Sequence, residues 1–173
     1  MAKMRDIELL GKDIASVHKI VSDPQYFNQA ANYVLAAAKL QTPAKSGELR
    51  NSIGVTITEE ANGLTAHIGT NKEYAMYVEF GTGPKGQADH NGTSPDFTPT
   101  YRQTGWLIPA ESAPEIETDY PNWPSIEIKG KKYFKSLGQA AQPFLYPALK
   151  DNEKEIGDIL EGGWQAAIER LTK

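Results

Sequence analysis

No cysteine occurs in this chain, which excludes disulfide staples and thiolate metal sites. Histidine is nearly as scarce. His18, His67 and His90 are the only three, and they fall in a helix-like, a strand-like and a loop-like stretch with no metal-ligand spacing around them. No apolar run approaches the ~20 residues that a membrane-spanning helix requires. The opening residues, MAKMRDIELLGKD, show no secretory apolar core, so the cytosol is the expected place of synthesis and assembly. A basic excess is also missing. The net charge of −4 argues against a protein that grips nucleic acid with a basic face, and leaves room for one that only lets DNA pass.

What is present fits one soluble domain with a long excursion. The 173 residues are 39% hydrophobic and 23% charged, enough to bury a core without staples. Ile7, Leu10, Ile14, Val17 and Val21 recur at spacings of three and four, the mark of an amphipathic helix over 4–21. Ser22-Asp23-Pro24 offers a cap and a first-turn proline for a second helix to about Leu40, with Phe27, Ala30, Ala31, Val34 and Ala38 as its stripe. Thr42-Pro43 ends it, and Ser46 is placed to cap a short turn holding Glu48 and Leu49. Two alternating runs, Ser52 to Thr58 and Leu64 to Gly69, flank Ala61-Asn62-Gly63, and Asn-Gly is a hairpin signal. Each strand is expected to have one core face and one wet face.

A third helix is expected over Lys72 to Phe80, stopped by Gly81. Residues 84–124 then hold seven of the eleven prolines, so long regular elements are excluded there, although GWLIPA suits a short strand. The same stretch carries Phe97, Tyr101, Trp106, Tyr120 and Trp123, which a disordered tether lacks. Its only cations are Lys85 and Arg102, set against Asp89, Asp96, Glu111, Glu115, Glu117 and Asp119. The whole acidic excess of the chain therefore sits on it. SIEIKGKKYFKS (125–136) alternates like a hairpin and gathers Lys129, Lys131, Lys132 and Lys135, which suits phosphate contact, a solvated face or a subunit contact. Gln142-Pro143-Phe144-Leu145 leads toward a final helix with Ile156, Ile159, Leu160, Trp164, Ala167, Ile168 and Leu171 in helical register.

Three chemical readings of the motifs compete with plain structural ones. Gly81-Thr82-Gly83-Pro84-Lys85-Gly86 is rich in glycine, but a phosphate loop needs Ser or Thr after the lysine and a following helix. Lys85 is followed by Gly86, and no following helix is expected, so a helix stop and turn is the better reading. Glu79 suits a general base only beside a second acid or a histidine, and no partner stands at fixed spacing. A small hydrolase using Glu79 with His67 or His90 is the enzyme alternative. No serine sits in a nucleophile elbow.

The order of the pieces is more specific than any one of them. A helix pair precedes Pro43, Ser46, Gly47, Leu49, Arg50, Ser52 and Ile53 in the pattern PxxxSGxLRxSI. A hairpin ends in Ile68-Gly69-Thr70. Then come Tyr74-Ala75, Tyr77-Val78-Glu79 and Phe80-Gly81-Thr82, and later Gln142-Pro143-Phe144-Leu145 and Pro147-Ala148-Leu149. Over residues 5–172, with 84–135 as variable ground, this order resembles the tail-completion, or head–tail joining, family of minor structural proteins of long-tailed phages. Ser46 departs from the Thr or Asp more usual in that family.

The resemblance implies an α+β fold: an antiparallel sheet with N-terminal helices, a short middle helix and a long C-terminal helix, in a single domain over 1–173 with its excursion at 84–135. It implies a structural, non-enzymatic protein of the virion, assembled in the host cytoplasm, that needs no cofactor. Such a protein forms a homo-oligomeric ring, contacts neck and tail-tube proteins, and surrounds DNA that passes without specific recognition. No membrane is involved. A tail-terminator ring is the alternative within that class. Arg50, Glu79, Tyr74, Tyr77, Phe80, Trp106, Trp123 and Phe144 are the expected assembly residues, with Arg50 and Glu79 as a bidentate pair within or between subunits.

Overall fold

A computed structural model describes residues 24–43, 47–60 and 63–171. The helix expected over 4–21, the capping role of Ser46 and the turn residue Asn62 lie outside them. The described chain is α+β and forms two compact units. One comprises the residues up to Ala75 together with 143 onward, the other Met76–Gln142.

The first unit is built on α1 (Pro24–Gln41), whose buried residues Ala30, Ala31, Val34 and Ala38 recur at the spacing of one helix face. Small side chains on that face admit close neighbours. α1 packs against the hairpin β1 (Gly54–Glu60) and β2 (Gly63–Gly69), against the short α6 (Tyr146–Lys150), and against the C-terminal α7 (Glu153–Leu171). The approach of α7 depends on Gly163. A Cβ there would lie 2.7 Å from the Cγ of Tyr26 on α1, so only hydrogen fits.

β1 and β2 pair antiparallel from Gly54↔Gly69 to Glu60↔Gly63. Ala66 and Ile68 face inward while Thr56 and Thr58 face water, as the alternation predicts. The first strand starts two residues later than expected. Ser52 still belongs to α2 (Glu48–Ser52), where its Oγ meets Thr70 Oγ1 at 2.5 Å. The residue at the N-cap position of α2 is Gly47, left-handed at φ 72°. Phe144 is fully buried in this unit.

The second unit holds the whole excursion 84–135, and its elements are short but regular. α3 (Ala75–Phe80) leads into it, shorter than the expected 72–80 because residues 72–74 form a turn closed by the Ala75 N–H on the Lys72 carbonyl. α4 (Gly83–Ala88) is formed by the glycine run itself, where only a helix stop and turn was expected. Pro84 sits in its first turn, where a missing N–H costs nothing and φ is already helical.

β3 (Trp106–Pro109), β5 (Lys131–Ser136) and β4 (Ser125–Ile128) form a three-stranded antiparallel sheet in the order β3-β5-β4. Pro109 is tolerated because β3 is an edge strand. β4 and β5 form the expected hairpin. Its turn residues Lys129 and Gly130 both have positive φ, 51° and 73°, the geometry of a type I′ turn. A 3-10 turn at Ala110–Ser112 lies against β5, and α5 (Glu115–Asp119) follows it.

Candidate functional site

The glycine loop after α3 is a backbone clasp. Thr82 bridges antiparallel to Gln139. The Thr82 N–H donates to the Gln139 carbonyl at 2.9 Å, and the Gln139 N–H returns to the Thr82 carbonyl at 3.2 Å. Lys85 N–H donates to Leu137 O at 3.1 Å, Gln142 N–H to Val78 O at 2.8 Å, and Ala141 N–H to Asp89 O at 2.9 Å. The Gln139 side chain adds a bond from Nε2 to Tyr77 O at 2.7 Å. The chain entering the excursion is thus stitched to the chain leaving it.

Main chains this close leave no room for side chains. A Cβ on Gly81 would fall 2.7 Å from Gln139 O and Ala141 N, and one on Gly138 would fall 1.8 Å from Thr82 O. Gly81 is also left-handed at φ 74°, as a helix stop requires. The run Gly81-Thr82-Gly83-Pro84-Lys85-Gly86 is therefore glycine-rich for packing reasons, and α4 is too short a helix to build a phosphate site.

The clasp divides the expected assembly residues into surface and interior. Tyr77 is 51% exposed, and Met76 beside it is also on the surface. Tyr74 is exposed on the first unit. Phe80 is half-buried. Its ring lies 4.6 Å from that of Phe97, and its carbonyl accepts the Tyr101 hydroxyl at 2.8 Å. Phe80 therefore anchors the excursion, while Tyr77 faces outward. Burial pushes the Tyr101 phenol above its ordinary value.

Glu79 is only 4% exposed and Phe144 0%, so neither side chain lies on the surface of the subunit. Arg50 is half-buried. Its Nη2 donates to Thr42 O at 3.2 Å, and its buried Nε has no hydrogen-bond partner. Thr42 is itself held through Oγ1 on Ala38 O at 2.6 Å. Arg50 and Glu79 belong to different units. Nearby in the first unit, Lys72 pairs with Glu48, and that hydrogen bond holds the lysine above its ordinary pKa.

The two tryptophans of the excursion are half-buried rather than freely displayed. Trp106 lies on β3 beneath the Arg102 guanidinium, 5.6 Å from the ring centre. The Trp123 Nε1 donates to Lys135 O at 2.8 Å, and Tyr120 meets the Trp123 ring edge-on at 5.4 Å.

Charge in this unit is partly self-compensated. Lys132 bonds Glu117 and Lys131 lies 3.7 Å from Glu111. Two of the four hairpin lysines thus answer the acidic face of their own excursion. Such exposed pairs contribute only about 0–1 kcal/mol each. The sequence pattern located the lysines but gave no sign of this pairing.

The two described histidines make local hydrogen-bond contacts. His67 Nε2 lies 3.3 Å from Thr58 Oγ1 across the hairpin, and His90 Nδ1 lies 2.9 Å from Gln87 O. Among the described residues no three His, Cys, Asp or Glu side chains gather into a metal site, and no helix is long and apolar enough to cross a membrane.

Tyr74 and Tyr77 are aromatic side chains exposed to solvent, a residue type enriched at protein interfaces. The comparison with known families points the same way. Residues 14–81 match the HK97-gp10-like family, described as "Bacteriophage HK97-gp10, putative tail-component". This supports a structural role in the phage tail or neck, and with it a place in the virion. The matched segment includes α1, α2, the hairpin and α3 and ends at Gly81. It is narrower than the 5–172 over which the motifs resemble the tail-completion family. No curated protein and no solved structure matches the chain significantly.

Proposed function

We propose that this chain forms a ring at the phage neck that completes the tail and joins it to the head around the DNA channel. The carrying observation is the match of residues 14–81 to a phage tail-component family, because that segment supplies most of the first unit and all of α3. A terminator ring capping the tail tube is the alternative within the same class.

The exposed Tyr74 and Tyr77 are the favoured subunit contacts, since aromatic side chains dominate the centres of interfaces. Arg50 and Glu79 enter the proposal as an orienting pair. A double-mutant cycle on assembly measures their coupling, expected above ~0.5 kcal/mol, and purely additive effects would remove them. The remaining neck and tail-tube proteins are the partners on either side of the ring.

DNA is expected to pass without being held. The net charge is −4, and Lys131 and Lys132 are already engaged by Glu111 and Glu117. Each free lysine or arginine on phosphate would add a salt-dependent hold.

Native mass spectrometry of the assembled species and a reconstruction of the particle test the ring. The expected result is a set of subunits around the tail axis, in a number matched to the tail or portal symmetry. The free protein should show negligible duplex binding at ~0.15 M salt, where non-specific binders reach Kd values of roughly 10⁻⁴ to 10⁻⁶ M. A monomer placed off-axis on the tail exterior, or tight duplex binding, would defeat the proposal.

A further inference from the structure

The second unit carries a groove of about 580 Å³ that the ring reading does not use. Its floor is formed by Tyr120, Trp123, Pro124 and Leu137, and Lys85 and Lys135 stand at its sides. Leu137 is 54% exposed and Tyr120 47%, so this apolar floor is open to solvent. The floor is stiff. Trp123 is fixed by its bond to Lys135 O, and the edge-on Tyr120 ring supports it. Gly138 and Gly83 hold the clasp behind Leu137.

The two lysines differ from their neighbours. Lys131 and Lys132 are matched by Glu111 and Glu117, whereas Lys85 and Lys135 are exposed and make no ion pair among the described residues.

We propose that this groove docks an extended acidic segment of a partner protein, with an aliphatic or proline side chain on the Tyr120–Trp123–Leu137 floor and carboxylates on Lys85 and Lys135. Aromatic and proline walls favour an extended, preformed chain whose side chains drop into the groove. The unmatched lysines set the sign of the ligand. Single-stranded nucleic acid is the competing anionic ligand with flat groups, and the geometry disfavours it. A stacking platform needs open ring faces in succession along the groove, while Trp123 meets Tyr120 edge-on.

The proposal stands on the free subunit, so its failure and that of the ring reading are separate events. The probe is a fluorescein-labelled decapeptide of repeating Asp-Pro-Glu-Leu, titrated with the full chain by anisotropy. Saturable binding is expected, with at least about a tenfold loss in the Lys85→Glu/Lys135→Glu double variant and about threefold in Leu137→Ser. Neutralisation by Lys85→Gln and Lys135→Gln should act in the same direction. All these side chains are exposed, and circular dichroism verifies that the variants keep their fold. The same peptide with lysine in place of both acids should not bind. Absence of saturation, equal binding of the lysine peptide, or indifference to charge reversal would overturn the proposal. So would tighter binding of a ten-nucleotide oligothymidylate, which would assign the groove to nucleic acid.

Discussion

Replacing Gly81 by alanine tests the clasp directly, because its cost has two parts that a second glycine can separate. The first part is conformational. Gly81 sits at φ 74°, and an L residue held in that region costs about 1–2 kcal/mol. The second is steric. The new methyl would lie 2.7 Å from Ala141 N and Gln139 O and 2.8 Å from the Gly86 Cα. All three are backbone atoms, so no rotamer change relieves the contact. Residues 139–141 must shift, loosening the reciprocal Thr82–Gln139 bonds of 2.9 and 3.2 Å, each of which contributes about 0.5–1.5 kcal/mol. The total expected for Gly81→Ala is about 2–5 kcal/mol.

Gly130 is the control. Its φ is 73°, and a Cβ there meets nothing within 4 Å, so Gly130→Ala should cost only the conformational part, about 1–2 kcal/mol. Urea unfolding of the two variants, followed by the emission of Trp106 and Trp123 in a Trp164→Phe background, measures the difference. Equal destabilisation within ~0.5 kcal/mol would show that the close approach at Gly81 costs nothing, and would refute the clasp as a source of stability.

Two glycines on α7 should respond oppositely. Gly163→Ala drives a methyl into Tyr26 and should destabilise by about 1–3 kcal/mol, whereas Gly162→Ala, with open space around it, should stabilise by about 0.4–1 kcal/mol; thermal melts of both decide. Tyr101 gives a pH signature. Its folded pKa is raised by burial above the ordinary 10.0, so its contribution is complete below that value and is lost as pH rises through the folded pKa, when the donor to Phe80 O disappears. Tyr101→Phe should flatten the alkaline limb of the stability curve, and an unchanged limb would contradict the assignment. Assembly should shield Trp123 in its open groove more than Trp106 under Arg102, read as iodide quenching of single-tryptophan variants before and after assembly. Equal quenching of both in the two states would count against a partner surface on the excursion.

Local signals were legible wherever a short rule applies. The α1 stripe, the β1–β2 and β4–β5 hairpins and the Gly81 stop all follow from periodicity and turn chemistry within about ten residues. The α+β class follows from their order. Contacts between distant segments were not legible. Nothing near Gly81 in sequence points to Gln139, and the close approach of Gly163 to Tyr26 joins residues at opposite ends of the chain. The pairing of Lys131 and Lys132 with Glu111 and Glu117 is likewise invisible in a count of charges. Proline density predicted short elements correctly, but it concealed that β3 survives as an edge strand and that Pro84 opens a helix. Among the expected assembly residues, spacing could not tell the outward Tyr77 from Phe80, because the ring that covers Phe80 belongs to Phe97, seventeen positions on.

The clasp also bears on how the chain carries its excursion. The matched segment ends at Gly81, and the next residue is bridged to Gln139. Everything between them leaves and returns through a stem whose two strands are bonded by their backbones, so its identity matters little to the stem. Loop-closure entropy grows only with the logarithm of length, about 0.6 kcal/mol for each doubling. Closing a segment of this size at such a stem therefore costs about 2 kcal/mol more than closing a four-residue turn. Its own sheet, the Phe80–Phe97 contact and the Tyr101–Phe80 bond can offset that cost. On this reasoning the glycines of the stem are constrained by the backbone contact, while the exposed surface of the excursion carries no such constraint.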